Sequence, residues 1–106
     1  MQIEELNNFV ALFDIYGKLL SNKQFQLMEE FLNFNLSETE LAESTNSSRQ
    51  AVHDAITKAK KQLLEFEEKC KVFEDRKKLV KKLNDLKTNL KSESEKQIIN
   101  DILENI

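Results

Sequence analysis

The side chains that most often carry out chemistry are scarce in this chain. His53 is the single histidine and Cys70 the single cysteine. A structural zinc site takes four nitrogen or sulfur ligands, and a nucleophilic pair needs a base beside its thiol. One histidine and one cysteine assemble neither a zinc site nor a Cys–His arrangement within one chain. There is no glycine-rich loop to cradle a phosphate, and glycine itself occurs once, at Gly17. Carboxylates are plentiful but fall on the polar faces of the expected helices. The residues therefore point to a non-enzymatic protein without metal or cofactor. The lone thiol, among Phe66, Val72 and Phe73, is expected to be buried, as free cysteine usually is.

What the chain does offer is a concentrated set of groups for reading nucleic acid. Arg49 and Gln50 stand together at the start of an apolar-periodic segment, with His53 one turn on. Arginine and glutamine are the side chains whose paired hydrogen-bonding groups match guanine and adenine edges in the major groove. Ser48 precedes them, and Lys58, Lys60 and Lys61 follow within three turns, where they could meet phosphates. A second basic run, Arg76-Lys77-Lys78, continues through Lys81, Lys82, Lys87 and Lys91. It reads either as the solvated face of a long helix or as a sequence-blind phosphate contact, suited to RNA as well as DNA.

These groups work only if elements hold them correctly. The chain has no proline, and none of the dipeptides that favour tight hairpins. Apolar residues recur at helical spacing almost throughout, which predicts an all-α fold without a wing. Leu6, Phe9, Val10, Phe13, Tyr16 and Leu20 make one stripe of a first helix over 3–20, in which Gly17 is expected to mark close approach of another helix. Ser21-Asn22-Lys23-Gln24 and Ser37-Glu38-Thr39-Glu40 are capping boxes, which start helices at 22–34 and just after Ser37. The latter is short, with Leu41 and Ala42 facing inward. Asn46 tolerates a left-handed turn, and Ser47 or Ser48 then caps the next helix. Ala51, Val52, Ile56, Ala59 and Leu63 are its expected inner face. The pair joined by this tight turn has the layout of a helix-turn-helix over about 37–62, inside a helical domain spanning 1–62.

From Ser48 to Lys91 no helix breaker occurs, so one helix or two helices meeting near Asp75 fit equally well. Ser92-Glu93-Ser94-Glu95 is expected to cap a last helix striped by Ile98, Ile99, Ile102, Leu103 and Ile106. Residues 63–106 read as a long arm whose stripe, Leu63 through Leu90, exceeds what the N-terminal helices can cover. A homodimer through this arm is expected.

Charge supports the same division. The net charge of −3 resolves into −6 over residues 1–45, +6 over 46–91 and −3 over 92–106. A pI of about 5.3 does not exclude a nucleic-acid partner, because phosphate binding needs a local basic face rather than a basic total. No run of about 18 apolar residues exists, so no membrane span is expected. Met1-Gln2-Ile3-Glu4-Glu5 lacks the basic start of a signal peptide, which predicts a cytoplasmic location.

The stretch Asn35–Glu43 followed by Ser48-Arg49-Gln50-Ala51-Val52-His53-Asp54-Ala55-Ile56 resembles the helix-turn-helix of sigma-factor region-four-like proteins. With Phe9–Leu20, Ser21-Asn22-Lys23-Gln24 and the long charged helix that follows, nearly the whole chain resembles the YlxM family of small bacterial proteins. Asn46 stands where the family usually has glycine, Ser47 where it has an apolar residue, and His53 where it commonly has tyrosine. The resemblance implies a regulator associated with the signal recognition particle pathway, contacting DNA or particle RNA. It leaves open an adaptor that keeps the motif as a scaffold. Glu29, Glu30, Glu38, Glu40 and Glu43 would suit a basic partner such as the particle's protein subunit.

Overall fold

The computed structural model describes all 106 residues, as six α-helices and no strand. They fall into two compact units, Met1–Cys70 and Lys71–Ile106. The first holds α1 (Ile3–Tyr16), α2 (Asn22–Leu32), α3 (Glu38–Thr45) and α4 (Arg49–Cys70). The second holds α5 (Val72–Asn89) and α6 (Glu93–Glu104). The cut expected between 62 and 63 thus lies inside α4. No helix is long and apolar enough to cross a membrane.

The core of the first unit gathers around α4. Val52, Ile56, Ala59 and Leu63 recur every three or four residues and are all buried, so one stripe of α4 faces inward. Phe9, Leu12, Phe13 and Tyr16 of α1, Leu20 between α1 and α2, Met28 and Leu32 of α2, and Leu41 and Ala42 of α3 complete that core. α1, α2 and α3 all pack on α4.

Polar contacts fix where α4 lies. Tyr16 donates to Glu67 Oε1 at 2.7 Å, and its ring lies 6.1 Å from that of Phe66. Gln24 Nε2 donates to Gln62 Oε1 at 2.6 Å. The Lys60 ammonium sits 5.3 Å from the ring centre of Phe9 and 5.4 Å from that of Phe31, two cation–π contacts joining α1, α2 and α4.

Both predicted capping boxes form. Ser21 accepts from the Gln24 amide while the Gln24 side chain accepts from the Ser21 amide, and Ser37 and Glu40 repeat the arrangement. Gly17 is buried, and a Cβ there would lie 2.9 Å from Phe13 Cε1 and 3.3 Å from Phe25 Cε2. The close approach expected at this glycine is the Phe13–Phe25 ring pair, whose centres are 4.9 Å apart. The first helix ends at Tyr16 and continues as a short 3₁₀ turn, Gly17–Leu19.

Three local expectations are corrected. Cys70 is exposed, because it is the last residue of α4, beyond the core stripe that ends at Leu63. Ala51 is exposed, one position off that stripe. Ser92 starts α6 without a side-chain cap: its hydroxyl lies 2.9 Å from that of Ser94 instead.

The long stretch after Ser48 is two helices. Lys71 takes a left-handed conformation (φ 55°) and accepts from the Asp75 amide at 2.9 Å, which ends α4 and starts α5. Within the second unit α5 and α6 pack on each other, and only Ile99 is buried.

Candidate nucleic-acid interface

α3, the turn and α4 make the motif. Ser44 and Thr45 both donate their hydroxyls to the Leu41 carbonyl, at 3.1 and 2.7 Å. Asn46 is left-handed (φ 53°), with its amide donating to Glu43 O at 3.3 Å, and the Ser47 amide donates to Ala42 O at 2.9 Å. This pair of bonds is a Schellman ending, which reverses the chain within one residue and satisfies the last carbonyls of α3. Asparagine serves here because its short polar side chain makes the left-handed region accessible. Two residues on, Ser48 accepts from the Ala51 amide at 3.0 Å and starts α4.

The buried stripe of α4 decides which side chains point outward. At 100° per residue, the line opposite Val52, Ile56, Ala59 and Leu63 carries Gln50, Asp54, Thr57, Lys58 and Lys61, and all five are exposed. Arg49 and His53 lie on the flank nearer α3 and are exposed as well. The sequence-predicted residues Ser48, Arg49, Gln50, His53, Lys58 and Lys61 therefore share the first unit's surface, beginning at the open N-terminal end of α4. Lys60 is half-buried, its charge held between Phe9 and Phe31. Ser48 is engaged as the cap.

Two of the reading side chains are already held by carboxylates. Gln50 Nε2 donates to Asp54 Oδ1 at 2.9 Å, and His53 Nδ1 meets Glu38 Oε1 at 2.9 Å. The first pair spans one turn on the outward line, at the i, i+4 spacing that brings such groups together. The second ties the start of α3 to the start of α4. Asp54 is the residue sequence reasoning passed over, although its spacing from Gln50 was the available signal. Arg49, the first residue of α4, is exposed beside these pairs.

In the second unit Arg76, Lys77 and Lys78 are exposed on α5. Lys77 Nζ lies 4.6 Å from the ring centre of Phe73, and Lys78 Nζ is 3.4 Å from Glu74 Oε1. No group of three or more histidine, cysteine, aspartate or glutamate side chains is placed to hold a metal ion.

Comparison with known proteins agrees with this geometry. Residues 3–103 match the model of the UPF0122 family, described as "Putative helix-turn-helix protein, YlxM / p13 like". A protein of that family from Fusobacterium nucleatum subsp. nucleatum is 35% identical over 103 residues, covering 97% of this chain and all of its own length. One from Clostridium acetobutylicum is 37% identical over 111 residues, covering 98% of this chain and 96% of its own. A Clostridium novyi relative is 36% identical over 107 residues, covering 94% and 93%.

Proposed function

The chain belongs to the YlxM/p13-like helix-turn-helix family, and from that premise we propose that it is a cytoplasmic, non-enzymatic regulator that binds duplex DNA through the N-terminal half of α4. The observation that carries the reading is the outward line of α4. It carries Gln50 at a capped, exposed helix start, with Arg49 on the adjoining flank and Lys58 and Lys61 two to three turns behind.

The first turn of α4 enters the major groove, where Arg49 faces a guanine edge and Gln50 an adenine edge. Gln50 must exchange its bond to Asp54 for the base, so correct sequence is recognised by replacing an internal partner. His53 does the same with Glu38. Lys58 and Lys61 fall on phosphates and contribute affinity without sequence information. Arg76, Lys77 and Lys78 of the second unit supply further phosphate contact. Association with the signal recognition particle, implied by the family resemblance, enters as the pathway regulated, and particle RNA is the competing ligand.

Fluorescence anisotropy tests this with duplex DNA and particle RNA over a salt series. Affinity for DNA should fall as salt rises, because phosphate contacts release counterions. Arg49→Ala should weaken binding to the preferred sequence by about 1–3 kcal/mol, and binding to random duplex less. Absence of DNA binding below about 100 µM at low salt, where sequence-blind binders already bind, refutes the reading.

A second reading is favoured by the acidity of the motif itself: Glu38, Glu40 and Glu43 stud its first helix, α3, and two reading side chains are held by carboxylates. Such a surface suits a protein–protein adaptor whose partner is basic, such as the particle's protein subunit. Partner capture that survives nuclease treatment supports the adaptor; loss of every interaction with nuclease removes it.

A further inference from the structure

The second unit is a hairpin of two helices with most of its apolar surface uncovered. It spans Lys71–Ile106, contains no cysteine and buries a single side chain, Ile99. Chains of this size seldom hold a fold without a disulfide, a metal or a partner. On α5, Val72, Leu79, Leu83, Leu86 and Leu90 follow the three–four spacing of a bundle seam. Leu83 and Leu90 are half-covered, while Leu79 is 45% and Leu86 48% exposed. On α6, Ile99 is buried and Leu103 and Ile106 are half-covered, while Ile98 is 59% and Ile102 42% exposed.

The exposed pairs fall on one face. The link over residues 90–92 is short, which makes α5 and α6 antiparallel neighbours. Counting 100° per residue, Leu79 and Leu86 are rotated from the covered stripe of α5 in the same sense as Ile98 and Ile102 are from that of α6. In an antiparallel pair, equal rotations bring both sets to the same side. One side of the hairpin is thus an apolar face two helices wide, over at most the length of α6, about 18 Å at 1.5 Å per residue.

Charge identifies the occupant. α5 carries six cations and three anions, and α6 carries one cation and four anions. At the open face Lys78 and Lys82 stand beside the exposed leucines together with Asp75 and Asp85, and Glu95 and Asp101 flank the exposed isoleucines, so the imbalance belongs to the helices as wholes. A second hairpin, turned so that each α5 lies over the other's α6, matches apolar to apolar and each net-basic helix to an acidic one. Stacking α5 on α5 would oppose like charges.

We propose that this face is covered by a second copy of the chain, in a four-helix bundle in which the basic α5 of each copy lies against the acidic α6 of the other. The arrangement is two-fold symmetric and self-complementary, as a closed dimer requires. It also duplicates the helix-turn-helix, although the pairing stands independently of what that motif binds.

Sedimentation equilibrium of the full chain, from about 1 to 100 µM, tests the pairing. The expected mass is twice 12.4 kDa, with an association that weakens as salt rises from about 50 to 500 mM, because screening removes the attraction between unlike helices. Leu86→Glu should raise the dissociation constant about a hundredfold or more, since each substitution is made twice in a symmetric dimer. The four rim residues are all exposed, and within one copy reversing them removes the Lys78–Glu74 ion pair and the Gln97–Asp101 hydrogen bond. Lys78→Glu with Lys82→Glu should weaken the dimer, Glu95→Lys with Asp101→Lys should do the same, and all four together should restore it. A mass of 12.4 kDa across the range overturns the proposal. So does a dimer that tightens with salt or ignores the rim reversals, because like helices would then be paired.

Discussion

Replacing Gly17 by alanine puts a single methyl group into a closely packed place between α1 and α2. The new Cβ would lie 2.9 and 3.0 Å from Phe13 Cε1 and Cδ1, and 3.3 Å from Phe25 Cε2. Neither ring gives way freely, since Phe13 is buried and pairs with Phe25 at 4.9 Å. Overpacking of this kind costs about 1–3 kcal/mol. Gly17 itself has φ −54°, so alanine meets no backbone strain, and it recovers about 0.5–1 kcal/mol by restricting the unfolded chain. The balance is a loss of about 1 kcal/mol, or roughly 5 °C in Tm for a unit of this size. Thermal and urea melts of wild type and Gly17→Ala, followed by far-UV circular dichroism, measure it. A rise in Tm would mean that Phe13 and Phe25 do not close over this position, and the packing of α1 on α2 described above would be wrong.

Removing the cap by Ser48→Ala deletes the bond to the Ala51 amide and should cost about 0.5–2 kcal/mol, seen as a lower urea midpoint. Leu63→Ala empties a fully buried site and should cost about 2–5 kcal/mol, whereas Leu64→Ala, next door and half exposed, should change stability by less than about 0.5 kcal/mol. Asp54→Asn removes a carboxylate from the outward line of α4 and should strengthen binding to random duplex about threefold at low salt. That gain should fade at high salt if its origin is repulsion of phosphate, and one that persists at high salt would contradict it.

The sequence made the first unit legible because its signals agree with one another. Two capping boxes mark the starts of α2 and α3, a left-handed asparagine marks the end of α3, and a four-member apolar stripe marks the inner face of α4, each forming as spaced. The break at Lys71 carried no such mark: Cys70-Lys71-Val72 contains no glycine, proline or asparagine, and a lysine adopts the left-handed turn. Exposure of Cys70 follows from that break, since a helix end lies beyond the stripe that would have covered it. At the site, the outward residues could be placed by counting along α4. The attachment of His53 to Glu38 could not, because fifteen residues separate them and only the fold brings α3 to α4. Lys60 shows the converse: one of three similar lysines, it is distinguished only by two aromatic rings from other helices.

If the start of α4 is the surface that meets duplex DNA, the residues there must respond first when duplex is added. Nuclear magnetic resonance of the labelled chain, titrated with duplex at low salt, tests it residue by residue. The largest shifts are expected at Ser48, Arg49, Gln50 and Asp54, including the Gln50 side-chain amide as it leaves Asp54, with smaller shifts at Lys58 and Lys61. Shifts confined to the acidic face of α3, or an unmoved Gln50 amide in a saturated complex, would contradict it.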